Sequence, residues 1–253
     1  MMLKDKAIII TGATKGVGHA LALGAAKAGA NLVLGGRDEA EGAALASKIE
    51  ALGSRAVFAA GDLSQSETCE ALVQAALDSF GKLDGLVNYA GSVRASAPLL
   101  ETDEALLDWI MGVNFKSAFF TTKAAVRAMA GCGGSIVFMG SLHAYGGEKD
   151  RPAYACSKGA MYTLYRHIAR NYARERIRSN WVTVGWVATP GEAAFRQEIG
   201  MADDWLAKTG QEIMPMGRLQ TCEDYVDGVL YLLSDAASQT SGSELVITGG
   251  FTL

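Results

Sequence analysis

The chain has 253 residues, of which 49% are hydrophobic and 20% are charged, and its formal net charge is −4. This composition is typical of one globular domain with a large buried sheet, and it excludes a mostly disordered chain. The slightly acidic balance excludes the positive field that draws a protein to nucleic acid or to an anionic membrane surface. No segment is apolar over the length of a membrane span.

Strand and helix patterns alternate along the chain. Strands are predicted over residues 7–10, 31–34, 56–60, 83–88, 135–139, 178–184 and 243–248. Helices are predicted over residues 19–30, 39–52, 68–80, 104–129, 153–176 and 222–233. This repeated order predicts an α/β fold in which residues 1–253 form a single domain, with an open parallel sheet and helices on both faces. Residues 186–218 are too many for a simple connection and predict a lid over a substrate.

The cysteines and histidines point to no disulfide or metal site. Cys69, Cys132, Cys156 and Cys222 are scattered, with no C-x-x-C pair. Because no apolar leader precedes the first strand, we expect reduced thiols in a cytoplasmic protein. The three histidines lack metal-ligand spacing, so we expect no bound metal.

A glycine-rich turn follows the first strand. Glycines stand at positions 12, 16 and 18, immediately before the first predicted helix. Glycine lets the backbone approach a pyrophosphate closely, and the free N–H groups of a helix start face the anion. The spacing is G-x-x-x-G-x-G rather than G-x-G-x-x-G, so alone it could also be a plain strand-to-helix turn.

Motifs at the other strand ends, taken in order, resemble the short-chain dehydrogenase/reductase family over nearly the whole chain. They are the turn from Thr11 to Gly18, Asp62–Leu63, Asn88–Tyr89–Ala90–Gly91, Gly185–Trp186–Val187–Ala188–Thr189 and Met214–Pro215–Met216–Gly217–Arg218. The resemblance implies a Rossmann-type doubly wound sheet and a nicotinamide cofactor. The cofactor residues that it implies are Gly12, Thr14, Lys15, Gly16, Val17, Gly18, Arg37, Asp62, Leu63, Asn88, Ala90, Gly91, Tyr154, Lys158, Gly185, Val187 and Thr189.

Asn114, Ser141, Tyr154 and Lys158 match the catalytic tetrad of that family in order and approximate spacing. Tyr154 and Lys158 are four residues apart, which places them on one face of a helix. A nearby ammonium is expected to lower the phenol pKa from its usual value of about 10, so that Tyr154 can exchange a proton with a carbonyl oxygen. Ser141 can hydrogen-bond the same oxygen. The resemblance also implies that Lys158 holds the nicotinamide ribose and that Asn114 kinks its helix to keep a water beside Lys158.

Three residues depart from the family pattern. Tyr89 replaces an Asn that, by resemblance, ties neighbouring strands together. Val184 stands where a proline usually precedes Gly185, so that loop lacks a fixed φ. Thr248 replaces the Asp of a terminal D-G-G. These changes affect local stability or loop geometry and leave the tetrad intact.

The end of the second strand bears on the choice of cofactor. An acid at that position would hold the 2′-hydroxyl of NAD, but here Gly35 and Gly36 are followed by Arg37, and Lys15 lies in the glycine turn. Two cations suit a 2′-phosphate, so NADP(H) is predicted. Asp38 keeps NAD(H) as an alternative, and Arg37 could instead be a solvated loop charge.

The substrate is predicted to be a small to medium ketone or its secondary alcohol. The residues proposed to bind it are Ser141, His143, Tyr154 and Trp186, although His143 could equally cap its loop. Arg94 could bind a substrate carboxylate, but a surface role is favoured. The aromatic and sulfur side chains of the lid favour a moderately apolar carbonyl compound.

Two other functions remain open. One is reduction of a 3-oxoacyl thioester, which ranks lower because residues 130–134, where carrier-docking members have basic side chains, carry no charge. The other is a catalytically silent NADP-binding regulator, since a fold does not fix a function. The resemblance further implies that the helices at 104–129 and 153–176 pair subunits, which predicts a homotetramer.

Overall fold

Seven parallel strands form one sheet in the computed structural model, which describes residues 1–93, 97–202 and 204–252. The strands are β1 (Ala7–Thr11), β2 (Asn31–Gly36), β3 (Ala56–Ala60), β4 (Gly85–Asn88), β5 (Gly134–Met139), β6 (Ile177–Val184) and β7 (Glu244–Ile247). Their order across the sheet is β3-β2-β1-β4-β5-β6-β7. The chain therefore reverses direction across the sheet between β1 and β4, and such a switch point opens a crevice at the carboxyl ends of the strands.

Helices cover both faces of this sheet. They are α1 (Gly16–Lys27), α2 (Glu39–Ala51), α3 (Ser66–Phe80), α4 (Glu104–Ile110), α5 (Ser117–Met129), α6 (Pro152–Asn171), α7 (Pro190–Glu198), α8 (Trp205–Ile213) and α9 (Val226–Leu233). None of the helices in the described residues is both long enough and apolar enough to cross a membrane.

The strand β1 shows why the sheet is buried on both sides. Ile8 and Ile10 pack into the apolar layer that holds α1 and α9, whereas Ile9 packs into the opposite layer with α3, α5 and α6. Side chains alternate along a strand, so a continuous β-branched run fills both layers. The predicted Rossmann-type doubly wound α/β fold is confirmed.

Several helix boundaries differ from those predicted. Helix α1 begins at Gly16 instead of residue 19, because the glycine turn passes directly into it. The predicted helix over 104–129 contains a π-helical segment, Met111–Lys116. The helix predicted to reach residue 176 ends at Asn171, and Arg176 has a left-handed φ of 61° that no helix continues through. The stretch 186–218 contains two ordered helices, α7 and α8.

Candidate active site

The carboxyl ends of the strands surround a cavity of about 1100 Å³. Of the predicted cofactor residues, those that line it are Gly12, Thr14, Lys15, Gly16, Arg37, Asp62, Leu63, Ala90, Gly91 and Thr189. Among the residues not predicted, it is also lined by His19, Glu41, Tyr89, Thr221, Cys222 and Glu223. Glu41 and Glu223 lie in or beside helices and follow no strand, so a search of strand ends could not find them.

The remaining predicted cofactor residues lie behind or beside the residues that line the cavity. Val17 and Gly18 are buried in the first turn of α1. Asn88 is buried, and its amide nitrogen donates to Thr122 Oγ1 of α5 at 2.9 Å. Val187 forms a β-bridge to Gln220.

The glycine turn has the geometry of an anion site. Gly12 and Gly16 have φ values of 69° and 57°, which favour glycine. A Cβ at Gly12 would lie 3.0 Å from the Ala90 Cα atom, so the backbone packs closely there. Helix α1 has no side-chain cap at Lys15, which leaves its first N–H groups available to a ligand. The glycine turn, the first N–H groups of α1 and the cavity together fit the pyrophosphate of a dinucleotide.

A second cavity, of about 510 Å³, lies at the opposite, amino edge of the sheet. Its cations are already engaged: Lys6 pairs with Asp235 at 2.8 Å, and Arg178 donates to the carbonyl oxygens of Leu232 and Ser234. This cavity holds none of the predicted site residues.

The residues predicted to form the tetrad meet beside the cavity at the carboxyl ends of the strands. Ser141 follows β5, and Tyr154 and Lys158 lie one turn apart on α6. The Lys158 ammonium is 5.8 Å from the centre of the Tyr154 ring. A Cβ at Gly91 would lie 3.0 Å from Asn114 Oδ1 and 3.8 Å from Lys158 Nζ. Because Gly91 lines the cavity, Asn114 and Lys158 stand directly behind its wall.

The electrostatics of this pair differ from the expectation. Burial raises the pKa of Tyr154, and the nearby Ser141 hydroxyl and the Arg151 charge act in the opposite direction. Burial also lowers the pKa of Lys158 to about 8. Lys158 Nζ donates to the Met139 carbonyl oxygen at 3.0 Å instead of contacting the phenol. The prediction that the ammonium acidifies Tyr154 is therefore wrong for this structure.

Asn114 lies in the π-helical segment and is fully buried. Its Oδ1 accepts from the Ser92 backbone N–H at 2.7 Å. Its Nδ2 donates to the Ser92 carbonyl oxygen at 3.1 Å and to Ser157 Oγ at 3.0 Å. The side chain thus joins the loop after β4 to helix α6, one residue from Lys158.

His143 and Trp186 differ in their surroundings. The His143 ring packs edge-to-face on Tyr154 with 5.6 Å between centres. Its Nδ1 is buried and has no partner among the described residues, and burial lowers its pKa. The Trp186 indole N–H donates to Glu192 Oε1 at 3.2 Å, and its ring lies 5.7 Å from that of Trp205. Arg94 lies outside the described residues.

Two of the departures from the family pattern, at Tyr89 and Val184, have local compensations. The Thr11 hydroxyl oxygen accepts from the backbone N–H groups of Tyr89 and Ala90, both at 3.0 Å, and this ties the end of β1 to the loop after β4. The Gly185 N–H donates to the Tyr225 hydroxyl at 3.2 Å.

Gln220 holds the same loop from its other side. The Ala188 N–H donates to the Gln220 carbonyl oxygen at 2.8 Å. A Cβ at Gly185 would lie 2.9 Å from the Thr248 Cα atom, so the loop packs tightly without a proline at position 184.

Comparison with known proteins agrees with this geometry. A family model described as Enoyl-(Acyl carrier protein) reductase matches residues 12–252. The chain is 32% identical to a 3beta-hydroxysteroid dehydrogenase of Mediterraneibacter gnavus, covering 98% of this chain and 95% of that protein. It is also 32% identical to an L-rhamnose 1-dehydrogenase (NAD(P)(+)) of a Sphingomonas species, covering 98% of this chain and 97% of that protein.

Solved structures give the same assignment. A short-chain type dehydrogenase/reductase from Mycobacterium marinum has a TM-score of 0.89 and 29% identity, with 99% of this chain and 96% of that chain covered. The chain therefore belongs to the short-chain dehydrogenase/reductase family, and it is an oxidoreductase of secondary alcohols and ketones that uses a nicotinamide cofactor.

Proposed function

We propose that the protein interconverts a small to medium ketone and its secondary alcohol with NADP(H), and that Tyr154 exchanges the proton. The observation that carries the proposal is the meeting of Ser141, Tyr154 and Lys158 next to Gly91, at the wall of the glycine-turn cavity. The Tyr154 phenol is protonated at neutral pH, so it holds the proton that a carbonyl oxygen would receive.

Each side chain of the tetrad has a distinct task. A bound nicotinamide supplies the hydride in reduction and accepts it in oxidation. Tyr154 gives its proton to the oxygen of the reacting carbonyl, and Ser141 hydrogen-bonds and positions that oxygen. Lys158 stands behind Gly91, where its ammonium can hold a ribose hydroxyl. Asn114 acts through Ser157 and the Ser92 backbone to hold α6 against the cavity wall.

The glycine turn and the strand ends would hold the cofactor. Its pyrophosphate is assigned to Gly12, Gly16 and the first N–H groups of α1. Its adenine end is assigned to Asp62 and Leu63, and its nicotinamide end to Thr189 and the loop from Gly185. Asn88 and Val187 would act by supporting this wall.

The preference for NADP(H) over NAD(H) rests on the second strand end. Arg37 lines the cavity and is exposed, whereas Asp38 does not line it. The Asp38 carboxylate accepts from the Glu41 N–H at 3.1 Å as the N-cap of α2, and it lies 3.7 Å from Lys15 Nζ. Asp38 is thereby occupied, and Arg37 is left to bind a 2′-phosphate.

Substitution of Arg37 tests this preference. We expect Arg37→Ala to raise the Kd for NADPH at least about tenfold while that for NADH changes little, because a charge-assisted hydrogen bond is lost. Titration calorimetry measures both constants, and Arg127→Ala on α5 controls for the loss of a positive charge. A parent protein that binds NADH more tightly than NADPH would contradict the assignment.

The substrate is assigned to the space beside His143 and Tyr154, under a lid formed by residues 186–218. In this lid, Arg196 lies over Trp186 and Trp205 and pairs with Glu192 at 2.8 Å. The relatives named for a hydroxysteroid and for rhamnose favour a free alcohol over a 3-oxoacyl thioester, which remains the alternative.

A turnover assay separates the enzyme from a silent NADP-binding regulator. Purified protein is mixed with NADPH and, in turn, with aliphatic, aromatic and β-keto ketones, and the loss of nicotinamide absorbance is followed. The proposal predicts steady turnover with at least one class. Tight NADPH binding without turnover of any class would favour the regulator.

The assembly and its setting remain proposals. We propose a cytoplasmic homotetramer of single-domain chains, with the small-molecule substrate as the partner that each chain binds. Leu107 and Phe119, about 40% exposed on α4 and α5, are apolar side chains on the helices assigned to subunit pairing. Light scattering that gives a mass other than four chains would contradict the tetramer.

A further inference from the structure

Tyr89 stands where the family pattern has an Asn, and its side chain has a different task. The strand tie that such an Asn would supply is made by Thr11, whose hydroxyl also donates to the Val87 carbonyl oxygen at 3.2 Å. The Tyr89 side chain is therefore not needed between the strands.

The Tyr89 ring lies under the glycine turn instead. A Cβ at Gly18 would lie 2.7 Å from Tyr89 Cδ1, and a Cβ at Gly12 would lie 3.4 Å from it. Any side chain at Gly18 would thus collide with the ring. The ring fills the space that these glycines leave open.

The hydroxyl of Tyr89 emerges at the anion site. A Cβ at Gly16 would lie 3.2 Å from the phenol oxygen and 3.5 Å from Thr189 Cγ2, so the phenol, Gly16 and Thr189 meet at one point of the cavity. The Val17 N–H at the start of α1 interacts with the phenol oxygen, while burial raises the pKa of Tyr89 to about 12. The phenol therefore remains protonated.

A phenol can accept one hydrogen bond and donate another. The Tyr89 oxygen faces the Val17 N–H, and its own proton has no acceptor among the residues that the structure describes. The uncapped start of α1 is the place where a phosphate oxygen would bind. A phosphate held there would supply the missing acceptor.

We propose that Tyr89 is a ligand of the cofactor pyrophosphate, to which its hydroxyl donates a hydrogen bond beside the N–H groups of α1. This rests on the proposed use of a dinucleotide but not on the choice between NADPH and NADH. Since the pyrophosphate is common to both, Tyr89 contributes equally to the two affinities, whereas Arg37 separates them.

The test compares Tyr89→Phe with the parent by titration calorimetry, using ADP-ribose, NADPH, NADH and adenosine 2′-monophosphate. Loss of one neutral hydrogen bond should weaken binding of the first three ligands by a common factor of about three to ten. Adenosine 2′-monophosphate has no pyrophosphate and should bind unchanged. Tyr231→Phe, which removes from α9 a hydroxyl that is hydrogen-bonded to Thr240, should change none of these constants.

Two outcomes would overturn the proposal. Unchanged ADP-ribose binding by Tyr89→Phe would mean that Tyr89 only packs under the glycine turn. Tighter binding would mean that the phenol competes with the phosphate for the same N–H groups. If neither NADPH nor NADH binds the parent, the proposed function itself fails. Because Phe keeps the ring, we expect the melting temperature of Tyr89→Phe to be unchanged while its ligand binding weakens. Tyr89→Asn shows whether the family residue restores the binding affinity.

Discussion

At the scale of single residues, burial shifts the pKa values of Tyr154 and Lys158, which are proposed to form the active site. Lys158 is 5% exposed, and its ammonium donates only to the Met139 carbonyl oxygen and the Met161 sulfur among the described residues, so it is poorly solvated. The spacing of Tyr154 and Lys158 predicts that they share a helix face, and they do. The spacing could not predict that the Lys158 ammonium donates to the Met139 carbonyl oxygen, because this hydrogen bond depends on how α6 packs on β5.

The low pKa of Lys158 has a consequence for stability. Between its folded pKa of about 8 and its higher unfolded value, the unfolded chain binds a proton that the folded chain lacks. The free energy of unfolding of the parent should therefore rise relative to that of Lys158→Met by about 2 kcal/mol from pH 8 to pH 10. Urea unfolding at the two pH values measures this difference.

A control is available for the charge itself. Lys123→Met removes an exposed lysine of α5 and should follow the parent at both pH values. Parallel pH dependences of the parent and Lys158→Met would contradict the assigned burial of the ammonium.

The π-helical segment is the feature that matters most at the scale of elements. The sequence pattern predicts one long helix over residues 104–129, because the helical spacing of apolar residues continues through the π-helical segment. The extra residue in the turn is accommodated where Asn114 bonds the Ser92 backbone and Ser157. Such a bulge depends on partners distant in sequence, so local propensity could not reveal it.

Removal of the Asn114 amide tests the role of this segment. Asn114→Ala deletes three hydrogen bonds inside a buried network and should lower the free energy of unfolding by about 2 to 3 kcal/mol. Ser157→Ala deletes the Asn114 bond to α6 and the Ser157 bond to the Tyr154 carbonyl oxygen, and should lower it by about 1 kcal/mol. Chemical denaturation compares them, and a loss for Asn114→Ala no larger than that for Ser157→Ala would contradict the network.

The architecture of the whole molecule follows from the order of elements. Alternating strands and helices predict a parallel sheet, and the right-handed crossover rule leaves few strand orders. The reversal between β1 and β4 then places the glycine turn and the Asn88–Gly91 loop on adjacent strands. For this reason the cavity proposed to hold the cofactor is largely predictable, and most of its lining residues come from strand ends.

The far walls of the cavity are harder to predict. Thr221 to Glu223 follow the lid instead of a strand, and they reach the cavity only because α9 packs on α1. The position of the lid depends on the Trp186, Arg196 and Trp205 contacts, which join residues up to 19 apart in sequence. Sequence pattern gives the length of this stretch but not its packing.

The rate of nicotinamide oxidation by Tyr154→Phe, measured with a ketone that the parent reduces and with the cofactor site saturated, tests the central claim most directly. Without a phenol proton for the carbonyl oxygen, kcat should fall at least about 100-fold while the Kd for NADPH stays close to that of the parent. A variant that binds NADPH normally and turns over at the parent rate would show that residue 154 does not supply the proton.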